Sequence, residues 1–374
     1  MTTTIPPIVP ERREGERRSG WHTPDTCDKV IGVQAAIEGL RKQLDDGEVR
    51  MGCMEDNIAG NVWSKSLNLK TIDFFAGGGG LSLGFQLAGF DVICAVENWR
   101  PALEVYRANF PDHEAVSMDL SNEYAALQLL NSYQPNLVIG GPPCQDFSSA
   151  GKRDESGGRA SLTINYANVI SQYRPTFFLM ENVARAANSQ AFKAALNIFK
   201  CAGYGLTIQL LNASLCGTPQ SRKRLIVVGQ LDGKDGFLDS ALLGGLSDKP
   251  LTLRQYFHNR LPFEHYYRHP RSYARRAVFS IDEPSPTIRG VNRPVPKGYP
   301  GHAGDPVPVN SAIRSLTTRE RASIQTFPAS FELPGTKSEV EQVIGNAVPV
   351  KLAEYVALAL SRYIQQTKCI TVTC

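Results

Sequence analysis

Cys144 stands in the stretch Gly140-Gly141-Pro142-Pro143-Cys144-Gln145-Asp146-Phe147-Ser148-Ser149, a setting suited to a reactive thiol. The preceding Leu137-Val138-Ile139 reads as a short apolar strand closed by Gly and Pro. Two prolines fix the backbone ahead of the sulfur, and the glycines admit close approach of another group. Lys152 and Arg153 follow, and cations beside a thiol favour the nucleophilic thiolate. Taken alone, the same signature fits an inert turn cysteine equally well. Glu181, in Met180-Glu181-Asn182-Val183, ends another apolar strand. A carboxyl buried there can donate a proton or hydrogen bond, although an isolated strand-end Glu is more often a helix cap. The run Gly217-Thr218-Pro219-Gln220-Ser221-Arg222-Lys223-Arg224 adds three cations that either line a polar site or face solvent.

A second group of residues has the chemistry of nucleotide binding. Ala76-Gly77-Gly78-Gly79-Gly80 forms a turn after the apolar run Thr71-Ile72-Asp73-Phe74-Phe75. Bare backbone N–H groups there admit a ligand, though a glycine-rich turn alone is a weak signal. Glu97, at the end of the next strand, supplies an acceptor for ribose hydroxyls, and Asp119, at the end of the third, an acceptor for an adenine amino group. Together the three features point to an adenosine-containing molecule, without separating a dinucleotide from S-adenosylmethionine.

The elements that must hold these groups alternate. Strands are expected at 71–75, 91–96, 115–118, 137–141, 176–183, 206–211 and 224–228, with helices at 81–88, 99–110, 123–130, 164–173 and 190–201. Such β-α repetition predicts an α/β fold: a mostly parallel sheet covered on both faces, with ligands gathered at the carboxyl ends of its strands. Residues 1–66 read as an extension with a charged, core-poor stretch at 11–18 and one amphipathic helix at 28–44. Residues 67–230 form the catalytic and cofactor-binding unit, and 231–310 a smaller loop-rich module. Residues 311–374 close the chain, with regular structure at 316–325 and a helix at 348–364 that packs back on the sheet.

The chain has 374 residues and a net charge of only +4, but the charge is unevenly placed. Residues 251–300 hold nine Lys/Arg against Glu264, Asp282 and Glu283, the footprint of a nucleic-acid surface. Eight scattered cysteines contain no Cys-x-x-Cys pair, which argues against a metal site and a disulfide framework. No signal pattern opens the sequence and no uninterrupted apolar run is long enough to cross a membrane, so a cytoplasmic protein without a membrane partner is expected.

The blocks IDFFAGGGGLSLGF, Glu97, Asp119, GGPPCQDFSSAGKRD, ENV, GTPQSRKR, EPSPTIRG, LTTRERASIQTFP and IGNAVPVKLA occur in an order that resembles the bacterial-type DNA cytosine-5 methyltransferases, over roughly residues 71–360. The resemblance implies the Rossmann-like S-adenosylmethionine-dependent methyltransferase fold with a loop-rich target-recognition domain. It implies that Phe75, Gly77, Gly79, Glu97, Asp119 and Asn346 hold S-adenosylmethionine. Cys144 would then be the nucleophile, Glu181 the partner of the cytosine N3 edge, and Arg222 and Arg224 polar partners of the site and target base. The position after the acidic Glu97 is often aromatic in the family. Here it is Asn98, followed by Trp99, which leaves the residue stacked on the adenine open.

The basic window then corresponds to the recognition region, with Arg268, Arg271, Arg275 and Arg276 as the DNA-contacting residues. The implied partner is double-stranded DNA, the implied context pairing with a restriction endonuclease, and the expected state a monomer. The nearest rival is a cytosine-5 methyltransferase acting on tRNA. That subgroup carries Cys-Phe-Thr soon after the ENV block, where this chain has Ala184-Arg185-Ala186-Ala187-Asn188. A nicotinamide-dependent oxidoreductase or a non-enzymatic DNA-binding protein leaves PPCQ or the strand-end acids unexplained.

Overall fold

A computed structural model of the chain describes residues 67, 69–143, 160–258 and 260–372. Cys144, the loop around it, and the helix expected at 28–44 lie outside the described residues.

The sheet is built from β1 (Lys70–Phe74), β2 (Asp91–Val96), β3 (Glu114–Val116), β4 (Leu137–Gly140), β5 (Phe177–Val183), β6 (Tyr204–Asn212) and β8 (Lys223–Leu231), in the order β3-β2-β1-β4-β5-β8-β6. A two-residue strand, β7 (Gln220–Ser221), lies outside it. The main sheet is parallel except for β8, which runs antiparallel to both β5 and β6. Continuous burial along β4 and over the first six residues of β5 explains their unbroken apolar runs, since both faces are covered.

On one face lie α3 (Glu123–Tyr133), α4 (Ala160–Tyr173) and α5 (Gln190–Cys201), contributing Leu130, Tyr166, Ile170, Phe192 and Phe199 to one core cluster. The other face is covered by α1 (Gly80–Leu87), α6 (Asp239–Gly244) and the last helix, α10 (Val350–Val372), through Phe85, Leu242, Leu352, Val356 and Leu360. A Cβ on Gly84 would overlap Ala353 Cβ, so this glycine lets α1 and α10 touch. The stretch Lys337–Thr367 is long and apolar enough to cross a membrane, but 72% of its apolar window is buried inside the protein. Its hydrophobicity serves the core.

Strand order reverses between β1 and β4, because the chain leaves β1 toward β2 and leaves β4 toward β5. The turn after β1 and the chain leaving β4 at 141–143 therefore head to opposite sides of a switch point, where open α/β sheets bind ligands.

Residues 231–310 contain α7 (Leu253–Phe257), β9 (His265–Tyr267), β10 (Val278–Ser280) and β11 (Ser285–Pro286). Part of this segment shares a core with the end of the sheet, while Tyr267, Ala277, Val278, Val295, Tyr299, Val307 and Val309 form a small cluster with Ile313. Leu253, Tyr266, Phe279 and Ile288 cluster with Val105 and Tyr106 of α2 (Arg100–Asn109), with Ile324 of α8 (Thr318–Ile324), and with Val343 of α9 (Lys337–Asn346). The helix α9 is absent from the sequence reading. It begins with a Thr336/Glu339 capping box, but the glycine and prolines of IGNAVP obscure its apolar period.

Candidate active site

Glu181 lies on β5 with its carboxylate nearly out of solvent, and Arg224 Nε on the adjacent β8 stands 2.6 Å from its Oε1. The antiparallel register brings the two elements together, Glu181 facing Ile226 and Val183 facing Arg224. A buried carboxylate needs such a counter-charge. Burial lowers the Arg224 pKa, and Glu181 partly restores it. The other oxygen, Oε2, lies 3.2 Å from where a Cβ on Gly141 would be, so it meets the start of the cysteine loop. Asn182 fixes that loop from behind: its Nδ2 donates to the Pro142 carbonyl at 3.3 Å, while its Oδ1 accepts from the Val183 N–H. Asn182 belongs to the ENV block, but nothing in its residue type or spacing signals this contact with a loop forty residues away.

Arg222, two residues before Arg224, feels the charges of both Arg224 and Glu181. Its side chain is 2% exposed, with Nη1 donating to the Ile288 carbonyl and Nη2 to those of Gly345 and Ala347. Its two Nη groups thus fasten three segments together, and its Nε has no hydrogen-bond partner among the described residues.

The glycine turn divides by function. Phe75 (φ 58°), Gly77 (φ 55°) and Gly79 (φ 89°) all adopt left-handed backbone, a strain that clusters at ligand sites when a non-glycine residue bears it. A Cβ on Gly78 would strike Val343, one on Gly79 would overlap Phe110, and one on Gly80 would overlap the Val348 carbonyl oxygen. Only at Gly77 is the space open. Gly79 also lets the turn pack closely on Tyr106 of the helix Arg100–Asn109 and on Phe110 just after it. Beside Gly77, Glu97 Oε2 accepts the Gly77 N–H at 2.9 Å and Oε1 accepts the Trp99 N–H at 2.7 Å, so the carboxylate is aimed across the turn. Asp119 is exposed, beyond the end of β3, and accepts the Ser121 N–H. Asn98 is exposed and Trp99 packs half-buried against the α2 core.

Asn346 arrives from the far end of the chain as the last residue of α9, the one exposed position in the otherwise buried run 343–350. Val343 and Val348, on either side of it, are the residues that meet Gly78 and Gly80. Beneath the turn, Asp73 is buried. Its Oδ2 accepts from Ser82 N and Oγ, and its Oδ1 has no hydrogen-bond partner.

An open glycine beside an aimed carboxylate stands on one arm of the switch point. A proline-framed cysteine loop starts at a buried Glu–Arg pair on the other. The sequence as a whole decides what this is: a family model described as C-5 cytosine-specific DNA methylase matches residues 69–362. The chain belongs to the C-5 cytosine-specific DNA methylases. It is 54% identical over 296 residues to the type II methyltransferase M.HindV of Haemophilus influenzae, covering 79% of this chain and 97% of that one. With M.HgiDI of Herpetosiphon aurantiacus it shares 52% over 302 residues, 80% and 96% of the two chains. Among solved structures, the Dnmt2 methyltransferase of S. pombe shares the fold at 20% identity and TM-score 0.59, covering 80% of this chain and 99% of that one. A DNA modification methyltransferase encoded within an E. coli prophage does so at 24% and 0.58, covering 80% and 100%. The protein is a DNA cytosine-5 methyltransferase, and the tRNA reading is not favoured.

In this methylase the four recognition arginines are not equivalent. Arg276 is paired with Glu283 through both Nη groups and lies 4.4 Å over the Phe279 ring, so it braces the β9–β10 hairpin. The pairing still leaves its side chain 38% exposed. Arg268 is half-buried and donates to the Thr287 carbonyl at 2.8 Å. Burial, then the neighbouring Arg289, Arg271 and Arg321, lower its pKa to about 10. Arg271 and Arg275 are exposed on the hairpin loop. A cleft of about 420 Å³ opens where the recognition segment meets β7, lined by Ser221, Arg268, Arg276, Phe279, Glu283 and Thr287 among others.

Proposed function

We propose that this methylase transfers a methyl group from S-adenosylmethionine to carbon 5 of a cytosine rotated out of a short duplex DNA site, with Cys144 as nucleophile. The cofactor reading is supported by the open, left-handed Gly77 beside Glu97, and Phe75, Asp119 and Asn346 complete the site in this reading. When bound, S-adenosylmethionine supplies the methyl group. The chain's own residues make the acceptor carbon reactive. Addition of the Cys144 thiolate to carbon 6 breaks the 5,6 double bond and renders carbon 5 nucleophilic. Glu181 Oε2 holds the N3 edge, where charge develops, while Arg224 compensates the carboxylate through Oε1. After methylation, loss of the carbon 5 proton restores the double bond and expels the sulfur. Because the base is stacked in the duplex, rotation costs a few kcal/mol that contacts to the DNA must offset.

The observation that carries this reading is the buried Glu181–Arg224 pair with its second oxygen at the threshold of the cysteine loop. Residues 67–230 and 311–374, together with α6, form the catalytic body, and the rest of 231–310 the recognition region. Arg271 and Arg275 read or grip DNA, while Arg268, crowded by other guanidiniums, is relieved by a phosphate. Its likeness to type II methyltransferases supports a biological role in protecting DNA against a cognate endonuclease. Bisulfite sequencing of DNA from cells expressing the wild type beside Cys144→Ser tests it. Converted cytosines throughout both samples would refute the function, whereas protection at one short sequence lost in the variant supports it.

A further inference from the structure

Gln325 follows α8 and belongs to neither group of residues above, yet it is fully buried and all of its amide hydrogen-bonding groups are directed. Gln220 Oε1 accepts the Ile288 N–H at 2.8 Å, so Gln220 Nε2 must face Gln325, whose Oε1 accepts it at 2.7 Å. Gln325 Nε2 is thereby turned toward the Ile344 and Ala347 carbonyls, at 2.6 and 3.1 Å. Only this orientation of both amides satisfies every partner. Arg222 Nη2 takes Gly345 and shares Ala347. The carbonyls of residues 344, 345 and 347 are therefore all held from beneath, and the residue they surround is the exposed Asn346.

The backbone at Gln325 is fixed as well. The next residue, Thr326, is β-branched yet sits at φ 62°. It is held there because its Oγ1 accepts the Lys351 N–H at 2.9 Å while the Gln325 carbonyl accepts Val350 N–H at 3.1 Å. The start of α10 thus imposes a strained turn that aims one amide at the segment lying on the glycine turn.

We propose that Gln325 is a positioning residue for methyl-donor binding: through Gln220 on one side and the 344–347 carbonyls on the other, it sets the height of Asn346 above the cofactor crevice. The inference rests on the cofactor reading of Asn346. The full chain carrying Gln325→Leu, with Gln325→Met as a second, unbranched replacement, is titrated with S-adenosylhomocysteine by calorimetry and assayed for methylation. Loss of the amide should weaken that binding roughly 10-fold and raise KM for the methyl donor alike, with kcat at saturating donor and KM for DNA within about twofold of wild type. Unchanged cofactor binding in both variants overturns the proposal, as does parallel loss of cofactor and DNA binding, which would mark a general packing defect. Asn346→Ala separates the two levels. If it binds cofactor like wild type, the cofactor reading of this segment fails and the proposal with it; if it weakens binding and the Gln325 variants do not, only the proposal fails.

Discussion

Glu181 and Asp73 are both carboxyls withdrawn from water, and the fold treats them oppositely. Glu181 is given Arg224 as a partner. Replacing Arg224 with Met leaves an uncompensated buried charge, and the expected cost is about 3–5 kcal/mol together with loss of methylation. Glu181→Gln keeps an oxygen for Arg224 Nε and should cost much less stability while still lowering kcat. Denaturant melts beside single-turnover assays check both, and a fully stable Arg224→Met protein would contradict the pairing argument. Asp73 has no cation. Burial pushes its pKa up to about 7, the two Ser82 bonds pull it down, and Glu97 pushes it up again. Because the folded pKa lies above the unfolded one, this group's stabilisation is complete below about pH 4 and is lost as pH rises through 7, by at most about 4 kcal/mol. Asp73→Asn should flatten that part of the Tm-against-pH curve and raise Tm at pH 8. Identical slopes in wild type and variant would place the effect elsewhere.

At the scale of elements, four consecutive glycines look alike in a sequence and differ in the fold. Gly79→Ala sets a Cβ into Phe110 at a left-handed φ and should lower stability by about 2–4 kcal/mol. Gly77→Ala meets no neighbouring atom, so it should cost only about 1–2 kcal/mol for its φ and weaken cofactor binding instead. Thermal melts paired with S-adenosylhomocysteine titration separate these outcomes; equal melting losses would contradict the division. The central strands and helices were legible because each strand is an apolar run closed by turn residues, and β2 and α5 have the expected limits. The antiparallel β8 was not, because strand direction leaves no mark on composition. Glu181 was legible as a polar residue ending an apolar run. The packing partners of Arg222 and Gly79 were not, since each is covered by a distant segment.

For the whole molecule, the acids of the 251–300 window are committed locally: Glu264 and Asp282 pair with Arg254, and Glu283 with Arg276. The positive potential of the window therefore rests on its other basic residues, of which Arg268 lines the cleft at β7. Arg271→Ala and Arg275→Ala should weaken DNA binding at unchanged Tm. Removing an arginine that grips phosphate should reduce the salt-dependence slope of log K by about 0.9, whereas removing one that reads a base should relax one sequence position by about 1–3 kcal/mol. Arg276→Ala should instead lower Tm by freeing Glu283 and uncovering Phe279. Equal behaviour of all three would refute the assignment.

Covalent attack by Cys144 is the step on which the proposed chemistry turns, and a duplex carrying 5-fluorocytosine at the methylated position tests it most directly. Fluorine cannot leave as the carbon 5 proton does, so the expected product is an adduct stable to denaturation whose peptide map places the DNA on Cys144 and which Cys144→Ser abolishes. Undiminished methylation by Cys144→Ser, or an adduct on any other residue, would contradict it.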